Sequence, residues 1–181
     1  MDTSKWTIRI DANTTGFRKA FGGLNAEQLN WKPNPQTWSI AQNIDHLITI
    51  NSTYFPVLEA LQTGTYRVPV TGRLGFLVRF FGNFILQSVL PDRKRKMKTF
   101  PIWEPSVSTL PGGILQQFEQ HQERLKKAIR HASGLLDQGA VISSPANKSI
   151  VYKLDKAFDI ITLHEIRHLE QAREVLALMK R

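Results

Sequence analysis

The most informative part of the sequence is the stretch Ile161-Thr162-Leu163-His164-Glu165-Ile166-Arg167-His168-Leu169-Glu170-Gln171. It belongs to a segment, 154–181, whose apolar residues recur at the spacing of an amphipathic helix. Residues four apart lie on one face of an α-helix, so His164 and His168 can converge on one point. Two neutral imidazoles one turn apart form a pair of ligands for a divalent metal ion. The sequence therefore predicts a helix that carries part of a metal site.

The same letters match the H-E-x-x-H pattern of zinc proteases, in which Glu165 would act as the base. The longer form of that pattern has a glycine three residues after the second histidine and a third histidine three residues later. This chain has Gln171 and Glu174 at those positions. The pattern alone therefore does not indicate a protease, and a third ligand has to be sought elsewhere in the chain.

The composition limits which ligands and compartments are possible. The chain has 181 residues, 41% hydrophobic and 22% charged, which is typical of a single globular domain spanning residues 1–181. It contains no cysteine, which excludes thiolate ligands, disulfides and cysteine nucleophiles and favours a reducing cytoplasm. The first residues lack a basic region followed by an apolar run, so we expect no signal peptide. Any metal must be held by His, Asp or Glu.

Apolar residues recur at helical spacing in three further segments, 6–23, 39–61 and 114–136. No segment alternates clearly between apolar and polar residues in the way a half-buried strand would. Together with the C-terminal segment, these patterns predict an all-α fold, an antiparallel four-helix bundle.

Local signals refine the ends of these helices. Ser39 and Gln42 have the spacing of a capping box at the start of the second helix. Pro56 should kink that helix because it lacks a backbone N–H. We expect the residues 148–153 to be briefly extended and Asp155 to be the N-cap of the last helix.

A strongly apolar insert occupies residues 72–90 and is followed by Pro91. Its composition favours a helix, although its aromatic and β-branched residues leave a strand possible. It contains Arg79 and is shorter than the roughly 20 residues that a spanning helix needs, so no membrane span is expected. We interpret it as an added helix that covers the core or packs in a dimer, with a membrane-surface role as the alternative.

Five of the six residues in 93–98 are basic, and the chain carries a net charge of +9. Such a run can contact phosphates. No aromatic platform or nucleic-acid motif accompanies it, so a solvated loop is the favoured interpretation and nucleic-acid binding the disfavoured one.

His46 is the natural candidate for the third ligand. It lies beside the apolar face of the second helix, adjacent to Leu47 and one turn before Ile50. A single buried histidine more often satisfies its nitrogens by hydrogen bonds, but a pair on another helix favours a shared metal. Of the two other histidines, His121 should border the core and His131 should be exposed.

Two stretches in this order resemble the DinB-like superfamily of bacterial four-helix-bundle proteins. The first is Trp38-Ser39-Ile40-Ala41-Gln42-Asn43-Ile44-Asp45-His46-Leu47, and the second is the His164 to Gln171 part of the stretch quoted above. A shorter middle segment, Lys96-Met97-Lys98-Thr99-Phe100-Pro101, is also similar. The resemblance implies a bundle in which His46, His164 and His168 bind a divalent metal, nickel or zinc, in a homodimer.

The resemblance also implies a range of activities, and the insert at 72–90 departs from the compact family pattern. We expect a metal-dependent thiol-S-transferase or hydrolase that acts on a small molecule, with a low-molecular-weight thiol as a possible partner. A water or a thiolate would be the nucleophile, oriented by Glu165 or Gln171. The rival hypotheses are a non-catalytic bundle that binds metal or ligand and, less favoured, a nucleic-acid-binding protein.

Overall fold

The long helices predicted from the sequence form the body of the molecule. The computed structural model describes residues 1–92, 99–105 and 109–180. Its helices and strands are α1 (Ser4–Phe21), α2 (Ala26–Asn30), α3 (Ile40–Ser52), α4 (Phe55–Gln62), α5 (Gly75–Val89), α6 (Ile114–His131), α7 (Ser133–Asp137), β1 (Val141–Ser144), β2 (Asn147–Lys153) and α8 (Leu154–Met179). Helices α1, α3, α6 and α8 pack around a common core, with α1 and α3 each lying between α6 and α8.

Contacts along the helices fix their directions. Helices α1 and α6 are antiparallel, because Asp11 pairs with Lys126 while Arg18, further along α1, pairs with Glu119, which comes earlier in α6. Helices α3 and α8 are also antiparallel, because Asn43 pairs with His168 while Asn51, further along α3, pairs with Glu165, which comes earlier in α8. The all-α bundle predicted from the sequence is therefore confirmed.

The other two neighbouring pairs run parallel. Trp6 donates to Asp159 at 2.8 Å, and Asn13 donates to Glu165 at 2.8 Å, so positions on α1 and α8 advance together. It follows that α3 and α6 also run in the same direction. A long crossover, residues 63–113, joins these two parallel helices and contains α5, as one-crossover bundles require.

The core consists of two apolar clusters, one at each end of the bundle. One cluster contains Ile10, Leu125 and Ile161, and the other contains Phe17, Phe118 and Leu169. Between them, the four long helices each contribute one polar residue. We call this set the polar layer, and its members are Asn13, Asn51, Gln122 and Glu165.

The second predicted helix is interrupted. It begins at Ser39, whose capping box with Gln42 is present as predicted. However, α3 ends at Ser52 and α4 begins at Phe55, so the expected kink is a break between two helices. Pro56 lies in the first turn of α4, where its missing N–H costs nothing because first-turn N–H groups have no partner within the helix. The third predicted helix is likewise divided, at Ala132, into α6 and α7.

The connection before α8 contains a hairpin. The extended segment predicted for 148–153 is present within β2, and it pairs antiparallel with β1, a strand that the sequence patterns did not indicate. The prediction that Asp155 is the N-cap of the last helix is wrong, because Lys153 occupies that position. Asp155 lies in the first turn, where its carboxylate favourably faces the positive end of the helix dipole.

The apolar insert is helical, as predicted, and α5 packs against β2 and α8. Gly82 makes this close approach possible, since a Cβ there would lie 3.2 Å from Lys156 Cγ and 3.3 Å from Tyr152 Cβ. Phe76 and Phe80 on the opposite face are exposed. None of the described helices is long and apolar enough to cross a bilayer. The basic run at 93–98 lies outside the described residues.

Candidate metal centre

Three histidines converge between α3 and α8. The capping box at Ser39 starts α3 so that His46 faces α8, where His164 and His168 lie one turn apart. One ring nitrogen from each of the three lies within 4.8 Å of the other two. The Nε2 atoms of His164 and His168 are 3.0 Å apart. We call these three residues the histidine group, and it is the arrangement that the sequence predicted.

The outer nitrogen of His46 is held by the crossover. Its Nδ1 lies 2.7 Å from the backbone carbonyl oxygen of Trp103. A carbonyl oxygen only accepts hydrogen bonds, so Nδ1 carries the proton and Nε2 presents a lone pair. That Nε2 is buried and has no hydrogen-bond partner in the described part of the chain. A metal ligand needs an unprotonated nitrogen of this kind.

Asn43 holds the outer nitrogen of His168 in the same way. The Asn43 Oδ1 atom lies 2.7 Å from His168 Nδ1, and the Asn43 amide nitrogen donates to the Ser39 carbonyl at 2.9 Å. The second bond fixes the orientation of the amide, so its oxygen accepts from Nδ1–H. The Nε2 lone pair of His168 is thereby directed toward the histidine group. Metal-binding histidines commonly have outer partners of this type.

The surroundings favour neutral imidazoles. Burial lowers the pKa of His46, and the hydrogen bond to Trp103 only partly opposes this effect. Burial also lowers the pKa of His164 well below its usual range, and the nearby His46 and Arg167 lower it further. Both rings therefore remain unprotonated in neutral solution. Three imidazole nitrogens brought together in this way could hold a divalent metal ion.

A cavity of about 690 Å³ adjoins the histidine group. The Trp38 ring closes one side, lying 4.9 Å from His46 and stacked 5.9 Å from His168, centroid to centroid. Gln171, predicted to act at the site, lines the cavity. Arg167 also lines it and donates to the Ser88 carbonyl at the end of α5. The insert thus forms part of the cavity wall, because Ile85, Ser88 and Val89 of α5 face it.

Glu165, also predicted to act at the site, lies elsewhere. It is not among the residues that line the cavity, and its side chain is fully buried in the polar layer. Its carboxylate accepts from Asn51 at 2.9 Å, Asn13 at 2.8 Å and Gln122 at 3.0 Å. Because successive helical residues are turned by about 100°, the neighbour of His164 faces the bundle interior instead of the histidine group. The structure therefore does not bring Glu165 together with the three histidines.

The remaining histidines lie outside this group. His121 is buried against Phe55, with ring centroids 5.5 Å apart, and burial followed by the charge of Arg124 lowers its pKa to about 4. His131 is exposed. Both placements agree with the sequence analysis. That analysis did not find two residues, Asn43 and Trp103. Asn43 had a signal, as a polar residue one turn before His46, whereas Trp103 acts through its backbone.

Comparison with known proteins supports a family assignment. The chain is 27% identical over 161 residues to the uncharacterized protein YuaE of Bacillus subtilis (strain 168), covering 88% of this chain and 90% of that protein. No solved structure matches the chain significantly. A sequence model of the DinB superfamily matches residues 9–172, which include all three members of the histidine group. The chain therefore belongs to the DinB superfamily.

Proposed function

We propose that this protein binds a divalent ion, nickel or zinc, through His46, His164 and His168 and acts on a small molecule in the adjoining cavity. The observation that carries this proposal is the convergence of three ring nitrogens within 4.8 Å, with the outer nitrogens of His46 and His168 held by Trp103 and Asn43. Fixed outer partners orient the rings before any ion arrives, which reduces the cost of binding. Membership of the DinB superfamily supports the same proposal.

The reaction we propose is thiol transfer to an electrophile or hydrolysis. A divalent ion in such a site lowers the pKa of a thiol or water and polarises a substrate oxygen. The chain itself supplies the rest. Trp38 shields one side of the histidine group from solvent, and Gln171 offers an amide that can donate to or accept from a bound substrate. We propose that Glu165 acts indirectly, by fixing the position of α8 through the polar layer.

Metal analysis tests the ligand assignment. We expect protein purified without a histidine tag and incubated with Zn²⁺ or Ni²⁺ to retain about one equivalent of metal after desalting. The variant His164→Ala should lose it because two imidazoles hold the ion far more weakly than three. The exposed His131→Ala provides a matched control and should bind like the wild type. A wild type that stays metal-free, or a His164→Ala variant that binds equally with unchanged helical circular dichroism, would rule out the site.

Thiol consumption tests the reaction. We expect the metal-loaded protein to accelerate the reaction of a small thiol with an aryl chloride, in which an S–C bond forms, chloride leaves and the thiol proton passes to solvent. The variant His46→Ala should lose most of this acceleration, on the order of 100-fold, because the ion is no longer held. The measurement is loss of free thiol over time. Equal rates for the two proteins would exclude thiol transfer at this site.

The rival proposal is a non-catalytic bundle that binds metal or a ligand. It would retain one equivalent of metal and accelerate neither thiol transfer nor hydrolysis of ester and amide substrates. A homodimer in the cytoplasm remains part of our main proposal, and the lack of cysteine is compatible with that compartment.

We also propose that residues 1–181 form one domain, because both apolar clusters contain residues of α1, α6 and α8.

A further inference from the structure

The cavity extends well beyond the histidine group. His46, Ile50 and Tyr54 follow one another at intervals of four residues, and all three line it. The six residues from His46 to the end of α3 at Ser52 span about 9 Å of helix, and Tyr54 lies in the turn that follows. On the opposite side, Ile160 precedes His164 by one turn and also lines the cavity. The cavity therefore extends from the histidine group to Tyr54 in one direction, while Glu174 and Leu178, on later turns of α8, line it in the other.

A pair of buried tyrosines lines the cavity where it reaches Tyr54. The hydroxyl groups of Tyr54 and Tyr152 lie 2.8 Å apart, and the two residues are only 3% and 1% exposed. We call them the phenol pair. Tyr152 is also hydrogen-bonded to the Ser144 side chain, which lines the same cavity. These bonds hold the two hydroxyls in place, and whichever way their protons point, the pair as a whole keeps acceptor capacity for a further donor.

The two ends of the cavity differ in charge. Glu104, Arg167 and Glu174 line the cavity, and all three lie beside the histidine group or on the side of it away from the phenol pair. Burial raises the pKa of Tyr152 to about 12 and raises that of Tyr54 as well, so both phenols stay neutral. Between the histidine group and the phenol pair the lining contains three apolar residues, Ile50, Ile85 and Ile160. Among the described residues, the phenol end thus offers uncharged hydrogen bonding only.

We propose that the phenol pair is a second binding subsite, and that the ligand is an elongated molecule with an electron-pair donor such as a thiol at one end, an apolar middle and an uncharged hydroxyl or amide at the other. The apolar middle matches the three isoleucines, and the uncharged terminus matches two neutral phenols. The thiol end of this ligand rests on the function proposed above. The phenol subsite is a separate claim and can be tested separately.

The test compares two series of ligands of increasing chain length, mercaptoalkanols and alkanethiols without the hydroxyl. Binding to the zinc-loaded protein is followed by the fluorescence of the cavity tryptophans or by calorimetry. We expect the hydroxyl to raise the affinity about fivefold, the usual effect of one neutral hydrogen bond, and only at chain lengths that span the cavity. The variants Tyr54→Phe and Tyr152→Phe should lose this advantage and keep the alkanethiol affinity.

Tyr66→Phe is the matched control. Tyr66 also carries a hydrogen-bonded hydroxyl, 3.0 Å from Ser143 Oγ, but it does not line the cavity. That variant should keep the hydroxyl advantage. No advantage at any chain length in the wild type, or the same advantage in Tyr54→Phe and Tyr152→Phe, would overturn the subsite. Repeating the comparison in His164→Ala separates the two proposals, because loss of the metal should weaken both series equally and leave their ratio unchanged.

Discussion

Zinc in thousandfold excess over its dissociation constant should raise the free energy of unfolding of the metal-free protein by about 4 kcal/mol. The reason is mass action, since the three nitrogens are brought together only in the folded chain. For a chain of this length, the corresponding rise in the unfolding temperature is roughly 8–16 °C. Urea titrations with and without zinc, read by the circular dichroism of the helices, measure the effect.

The matched variants for this experiment are His168→Ala and His131→Ala. Removing His168 takes away one of three ligands, so the stabilisation by zinc should fall to about 1 kcal/mol or less. Replacing the exposed His131 by alanine should leave the stabilisation by zinc unchanged. Because burial lowers the pKa of His46 and of His164, protons should compete with zinc only below the ordinary pKa of histidine, 6.5. An equal stabilisation of wild type and His168→Ala would contradict the assignment.

The second large expected effect is a change in the free energy of unfolding with pH, caused by the titration of Glu165. Burial raises the pKa of Glu165 from its ordinary 4.5 to about 7, although hydrogen bonds from Asn13, Gln122 and Asn51 oppose this. The folded chain therefore holds this proton more tightly than the unfolded chain. The resulting stabilisation is complete below about pH 4.5 and is lost as the pH rises through about 7. Its size is about 3 kcal/mol across that window.

Glu165→Gln separates this contribution from other titrations, because glutamine does not ionise. Both proteins should be metal-free, and their free energies of unfolding in urea should be compared across the same pH range. The histidines titrate in both proteins, so their effect cancels in the difference. We expect the wild type to lose about 3 kcal/mol relative to Glu165→Gln between acidic and neutral pH. A difference that does not change with pH would mean that Glu165 has an ordinary pKa in the folded chain.

The histidine group could be predicted because its signals are local or repeated. His164 and His168 are four residues apart, and helical geometry alone places them together. Predicting the position of His46 required a second helix, and the capping box at Ser39 located the start of that helix correctly. The bundle followed from apolar spacing, which is the strongest pattern in a sequence of this kind.

Other features depend on contacts that no short pattern encodes. Trp103 binds His46 through its carbonyl oxygen, a group that every residue has. The polar layer joins four helices that are far apart in the chain, so the environment of Glu165 depends on packing and not on its neighbours in sequence. The strand β1 is only four residues long and depends on pairing with β2. Such short elements are decided by tertiary contacts more than by propensity.

The arrangement of the histidine group and the shape of the cavity depend on different parts of the chain, because α5 forms one wall of the cavity. The bundle helices hold the histidine group, and the polar layer locks their register. The far wall of the cavity, in contrast, comes from the crossover, through Ile85, Ser88 and Val89. Substitutions in α5 can therefore change the shape of the cavity without replacing Asn43 or Trp103, which hold the outer nitrogens of His168 and His46. In this fold the shape of the cavity and the arrangement of the three histidines can therefore change independently of each other.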